Sequence, residues 1–484
     1  MAFTRDDLRH KKACIVGAGP NGLAAAIVLA LEGMQVEVFE ANEQPGGAAR
    51  TMELTLPGFH HDFGSAVHPL AAGSPFFSSL PLHEYGLEWI HSPAPMAHPL
   101  DDGTAITLER NLDDASRALE EDGKAWRKMM RPLAENWASF AKDILRPMIA
   151  FPHRPFLLAK FAEDALPPAT FVARRRFCNA RTRALFSGLA AHSFLSLDEP
   201  LSASFGMVLA AAAHAVGWPI PRGGAQAITN ALCAYLTHLG GCVHTENRID
   251  DLRQLPGCNL TLCDVTPQQL LRLAADRLSH GYRQQLKNFR YGPAAFKVDY
   301  ALASPIPWKA KECFRAATVH VGGSMEDIVA SESAMANGRI AERPFVLVAQ
   351  PTVFDPTRAP AGKHIAWVYC HVPNGSTVSM LERMESQIER FAPGFHDCVL
   401  ARRVFAPADL EHMDSNLVGG DIQGGVFDIR NFLFRPTWRH YRTATVGSNR
   451  QRIYICSAST PPGGGVHGMC GYHAAKTALR DWRS

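Results

Sequence analysis

The stretch "VGAGPNGLAAAIVLALEGMQVEVFE", residues 16–40, limits the fold more than any other part of the chain. It holds a long apolar run with Arg9, Lys11 and Lys12 just upstream, so it must first be tested as a membrane anchor. Gly17, Gly19, Pro20, Asn21 and Gly22 interrupt the run. Glu32 ends it short of the ~20 uninterrupted apolar residues a bilayer requires. No small-residue cleavage site follows, so a signal peptide is not expected either. A dinucleotide-binding unit fits every position. Ala13–Val16 reads as a strand, Gly17-x-Gly19-x-x-Gly22 as a tight turn, Leu23–Leu31 as a small-residue helix stopped at Gly33, and Gln35–Phe39 as a second strand. Gly17 permits the sharp turn, Gly19 lets a diphosphate approach the backbone, and Gly22 lets the helix pack close to the sheet. Glu40 stands at the end of the second strand, where a carboxylate accepts the ribose hydroxyls of an adenosine.

The chain of 484 residues exceeds the size at which one hydrophobic core stops growing, so at least two domains are expected. A net charge of +3 gives no reason to expect nucleic acid. Its 11 cysteines are scattered without a CxxC pair, which suggests neither a zinc site nor a dithiol centre. They point to a reducing, cytoplasmic compartment. Cys258 and Cys263 read as buried thiols on a strand.

A second glycine turn follows directly in "ANEQPGGAART". Gly46 and Gly47, with Arg50, can present N–H groups and a guanidinium to the same diphosphate. "LDDGTAITL" reads as a hairpin turning at Asp102-Gly103. From Leu112 to about Ala213 the pattern is helical and matches no βαβ unit, so it is assigned to a cap. Residues 217–252 return to α/β character, with a helix over Ala225–Leu239 and a strand over Cys242–Ile249. "LTLCDVTP" reads as a buried strand. "AAFKVDYALA", "FVLVAQPTVF" and "HIAWVYCHV" read as strands of a second sheet. "NLVGGDIQGG" reads as a loop. Near the end, a strand over Ile453–Cys456 runs into a glycine loop, Gly463–Gly465, that feeds a helix and so offers a second anion or carbonyl site.

Three blocks together, "VGAGPNGLAAA…VFEANEQPGGAART", "GWPIPRGGAQAITNAL…GG" and "PPGGGVHGMCGYHAA", resemble the phytoene dehydrogenase family of FAD-dependent oxidoreductases. That family takes in carotenoid desaturases, ketolases and the pyridine-nucleotide-disulphide-oxidoreductase-domain proteins grouped with them. "FKVDYALASPIPW" and "RPTWRHYRT" look more like its ketolase-like branch. The resemblance implies FAD held by Gly17, Gly19, Gly22, Glu40, Gly46, Gly47 and Arg50, with a backbone contact to adenine at Ile249. It also implies Gly464, Gly465 and Val466 beside the flavin ring. Ser457 departs from the Gly or acid often found before the final glycine loop. No second dinucleotide unit is present, and the one CxxxxC spacing, Cys258 to Cys263, reads as buried thiols on a strand, so NAD(P)H is not expected to reduce the flavin rapidly.

The expected fold is α/β, a Rossmann-type FAD-binding domain with a second domain of sheet plus helical cap that takes the substrate. The expected division is discontinuous. Residues 1–75, 215–285 and 440–484 form the FAD domain, and 76–214 and 286–439 the substrate and cap domain. The expected activity is oxidation, isomerisation or oxygenation of an apolar or amphipathic small molecule. A flavin amine oxidase is the alternative, and a flavin-binding assembly protein without turnover is the alternative of another class. His467, after the glycine loop, is the candidate titrating group at the ring, against a reading as a packed helix-start residue. His60, His61 and Asp62 read as structural, and Tyr441 as a residue lining the site. Lys297 reads as a surface lysine, against a resemblance to related amine oxidases, which carry in such a strand a lysine that orients water. Residues 146–183, basic and interleaved with Phe and Leu, read either as a solvated cap face or as a surface for peripheral membrane contact.

Overall fold

A computed structural model describes residues 8, 10–148, 150–274, 276–446 and 452–483. A five-stranded parallel sheet has the spatial order Arg452–Ile455, Leu260–Cys263, Lys12–Val16, Gln35–Phe39, Cys242–His244. Its strands come from three distant stretches of chain. Parallel strands must be covered on both faces, and these are short apolar runs that suit burial. Helix Pro20–Leu31 lies on the sheet between helices Gln226–His238 and Met469–Arg483. Ten of its twelve residues are buried, and its small Ala and Gly side chains permit that close approach. Gly471 of the last helix meets it so closely that a Cβ there would lie 1.8 Å from the Asn21 carbonyl oxygen.

A seven-stranded sheet runs Val399–Phe405, Ala294–Leu302, His364–Val372, Val346–Ala349, Ala316–Val321, Ala94–Pro99, Ala105–Leu108. It is antiparallel except where Ala316–Val321 pairs with Ala94–Pro99. Strand Ala294–Leu302, second in that order, is buried at all nine residues. Between the hairpin and the return to the first sheet lies the helical insert. Leu112–Ala118 opens it, capped by Asn111, whose Oδ1 accepts the N–H groups of Asp113 and Asp114. In Gly123–Glu135, Trp126, Met129, Met130 and Leu133 form one buried stripe. Ala180–Ala191 and Ser202–Ala215, rich in Ala, Gly and Ser, are buried nearly all round.

Several boundaries differ from expectation. The first helix begins at Pro20, because proline at the first helical position has its φ already set and no N–H to lose. The strand from Cys242 stops at His244. There the chain turns through Glu246, at φ +52°, and the N–H groups of Glu246 and Asn247 donate to the carbonyls of Asn42 and Glu40. The strand in "FVLVAQPTVF" ends at Ala349 and gives way to a turn at Pro351–Val353. Strand Val399–Phe405 was not expected, since its charged "ARR" centre masks it.

Candidate functional site

The two N-terminal glycine turns touch. A Cβ on Gly47 would sit 3.5 Å from the Cα of Gly19. Gly22 can only be glycine, because a Cβ there would lie 2.0 Å from the Gly17 carbonyl oxygen, and Gly17 itself stands at φ +96°. Glu40 is buried and ties down the turn. The Ala18 N–H donates to its Oε2 at 2.9 Å, and the Asn42 N–H and side-chain amide donate to its Oε1. Arg50, also buried, donates to the carbonyls of Gly47 and Met413 and lies over the Phe63 ring. Gly46, at φ +136°, is packed against Thr229 and Arg50.

A cavity of about 330 Å3 runs from these turns into the space below the seven-stranded sheet. Gly19, Gly47, Ser457, Gly464, Gly465 and Val466 line one part of it. Phe205, Leu209, Trp218, Leu347, Trp367 and Tyr369 line the other. The residues expected to hold the diphosphate, ribityl chain and ring therefore border one continuous space. Gly17, Gly22, Glu40, Gly46 and Arg50 support that wall from behind. Ile249, expected at the adenine, packs against the buried cluster that includes Cys14, Val16 and Phe39 and does not line the cavity. Three glycine loops fronting one elongated space fit a dinucleotide with a ring at its far end.

Three expectations are corrected. His467 does not line the cavity. Its ring is fully buried, and its Nδ1 accepts the Met469 N–H at 3.0 Å, so it caps the last helix. Burial holds its pKa down to about 4, so it stays neutral there. Tyr441 does not line the cavity either. It donates its hydroxyl to the Pro461 carbonyl and fixes the chain entering the glycine loop. Lys297 is not a surface residue. It is 3% exposed, lines the cavity, and pairs with Asp299. Its ammonium lies over the rings of Phe405 and Trp367 at 5.1 and 5.9 Å. Desolvation lowers the Lys297 pKa against the pull of Asp299, and burial pushes the Asp299 carboxyl up to about 6. His61 lies behind the pair, 3.7 Å from Asp299, with Thr55 on its Nε2. Burial holds His61 down at about 3.

The sequence reading missed Asp264, at the end of strand Leu260–Cys263. Its Oδ2 accepts the Gly22 N–H at 2.8 Å, and it lines the cavity. The available signal was an acid at the carboxyl end of a parallel strand, where ligands bind in such sheets. His192 was also missed. It lines the cavity from the insert, with its Nε2 3.0 Å from that of His320.

The NAD(P)-binding Rossmann-like domain model matches residues 15–80. Fold and site thus define an FAD-dependent oxidoreductase built on one dinucleotide unit. Its relatives are the phytoene desaturases and the proteins grouped with them. The chain is 25% identical to pyridine nucleotide-disulfide oxidoreductase domain-containing protein 2 of Mus musculus, over 98% of this chain and 94% of the mouse protein. It is 24% identical to the lycopene-forming phytoene desaturase of Pseudescherichia vulneris, over 97% and 99%. The crystal structure of an oxidoreductase from Methanosarcina mazei matches it with a TM-score of 0.61 at 16% identity, over 97% of this chain and all of that one.

Proposed function

We propose that the enzyme oxidises, isomerises or oxygenates an apolar or amphipathic small molecule, carotenoid- or isoprenoid-like in character, in the part of the cavity beneath the seven-stranded sheet. The observation that carries this reading is the lining there. Phe205, Leu209, Trp218, Leu347, Trp367 and Tyr369 offer area rather than charge, and such a ligand binds through the surface it buries. The three chain segments that build the parallel sheet form the cofactor domain, and the insert with the larger sheet forms the substrate domain. Gly19 and Gly47 would lie against the diphosphate, and Glu40 would meet the adenosine end. Gly464, Gly465 and Val466 lie beside the ring. FAD bound there supplies a two-electron oxidant. Lys297 faces the reacting end of the cavity and orients a polar group or a water there. Trp367 and Phe405 exclude bulk solvent around it.

A closed ring pocket would have supported the reading without turnover, and the cavity argues against it.

Detergents, fatty acids or isoprenoids at micromolar levels should quench the flavin fluorescence or shift its visible spectrum. Leu347→Arg, which puts a charge into the apolar wall, should abolish that response while the protein stays yellow. An unchanged response in the variant, or binding of alkylamines in preference to apolar chains, would overturn the assignment.

A further inference from the structure

The anion position at the start of helix Pro20–Leu31 is occupied by a group of the protein's own. Asp264 Oδ2 takes the Gly22 N–H at 2.8 Å and stands 2.8 Å from where a Cβ on Gly19 would be. A carboxyl group therefore fronts the turn that a diphosphate must approach, and it is 6% exposed. The charges around it give it little reason to ionise. Glu40, beyond strand Gln35–Phe39, and Asp414, beyond helix Pro407–Met413, both act on it as negative groups. Cys263, Cys456 and Cys470 pack near it as neutral thiols, their pKa values raised chiefly by burial. Arg50 is the cation of this corner, and its guanidinium is spent on two backbone carbonyls while its charge bears on Asp414. The Gly22 N–H favours the carboxylate, but burial outweighs it, and the Asp264 pKa rises to about 8.

We propose that Asp264 is a cofactor-positioning residue that works as a neutral carboxylic acid, accepting the Gly22 N–H and turning its own O–H toward the bound diphosphate, so that FAD loading and ionisation of Asp264 oppose each other. Two phosphate charges beside the carboxyl raise its pKa further when FAD is bound. Binding then takes up a proton at any pH where the free protein has lost one. By linkage, affinity for FAD is level on the acid side of the Asp264 pKa and falls above it, by up to about tenfold per pH unit.

The test is a set of FAD dissociation constants from flavin fluorescence, between about pH 6 and pH 9.5, where this linkage acts. The wild type should hold FAD at neutral pH and lose affinity from about pH 8 upward. Asp264→Asn keeps an acceptor for Gly22 and a donor for a phosphate without the titration. It should bind FAD at pH 7 within a few-fold of wild type and show a level profile. Asp414→Asn removes a neighbouring negative charge, so its break should move to lower pH. Failure of the wild type to bind FAD at pH 7 would remove the cofactor assignment itself. A level wild-type profile overturns the proposal, and so does a falling Asp264→Asn profile or a folded Asp264→Asn protein without FAD at pH 7. Should Asp264→Asn not fold, an unmoved break in Asp414→Asn overturns it.

Discussion

Arg358 meets Asp62 at 2.9 Å with both side chains 1% exposed. Asp62 ends the short strand His60–Asp62, which follows the second glycine turn, and Arg358 lies beside the seven-stranded sheet. The other Asp62 oxygen accepts the Thr51 hydroxyl and the Ala225 N–H. Arg358 also donates to the His60 carbonyl. One buried carboxylate thus joins the glycine-turn region, the start of helix Gln226–His238 and the larger sheet.

Breaking that pair should cost more than either residue's exposed counterpart would. Asp62→Ala leaves a buried guanidinium uncompensated, and about 3–5 kcal/mol of stability should be lost in denaturant unfolding. Substituting both residues, Asp62→Asn with Arg358→Met, should recover part of the loss. Equal costs for the single and double variants would mean that the ion pair has no special weight.

Gly22→Ala should yield protein largely free of FAD. The new methyl would press on the Gly17 carbonyl and force the turn open. Gly257→Ala is the control, since Gly257, like Gly22, has no positive φ but has open space where the methyl would go. The absorbance ratio of flavin to protein after purification measures the difference. A fully yellow Gly22→Ala protein would contradict the geometry of the turn.

Stability should fall steeply on mild acidification. Burial lowers the pKa values of His68, His98 and His467 to about 4 and that of His192 to about 3. Each folded value lies below the unfolded one, so these groups cost nothing above pH 6.5 or so. Below it the unfolded chain takes up protons that the folded one refuses. Each histidine then costs up to about 1.4 kcal/mol per pH unit until its folded pKa is reached. Denaturant midpoints at pH 7 and pH 5 should differ strongly. His98→Gln should flatten the slope without altering the flavin spectrum at pH 7.

The insert also carries a surface suited to anionic lipid. Phe151 and Phe156 are 86% and 91% exposed, and Phe171 and Leu166 are half exposed nearby in sequence, among Arg154, Lys160 and Arg174. No helix of the described residues is long and apolar enough to cross a membrane. The wild type should co-sediment with vesicles containing phosphatidylglycerol, and Phe151→Asp with Phe156→Asp should not. Equal sedimentation of the two proteins would leave this face as solvated cap surface.

The glycine units were legible because a glycine at a forced φ, a glycine at a close backbone approach and an acid at a strand end are local requirements, as Gly17, Gly22 and Glu40 illustrate in turn. Lys297 was misjudged because its burial is set by strands Val399–Phe405 and His364–Val372 on either side of it, hundreds of atoms of context that a nine-residue segment does not carry. The one local clue was Asp299 two residues on, which shares its face of the strand. His467 follows a glycine loop that does border the cavity, but side chains after such a turn point wherever the helix start sends them, and this one turns inward to Met469. Asp264 was absorbed into an apolar strand because "LTLCDVTP" reads as one buried run, and nothing in it says which strand lies beside it. Register between Leu260–Cys263 and Lys12–Val16 is a property of the folded sheet.

The sheet that carries the nucleotide turn is closed by Arg452–Ile455, paired with a strand almost two hundred residues earlier in the chain. A ribosome must add almost two hundred residues after Leu260–Cys263 before that partner exists. Until then Leu260–Cys263 presents an open edge, and the final glycine loop has not been made. The nascent chain thus has to be kept from pairing that edge wrongly while the residues between the two strands are made. Cofactor capture has to wait for that strand and the glycine loop after it, and the yellow colour of the protein is in effect a report that both have arrived.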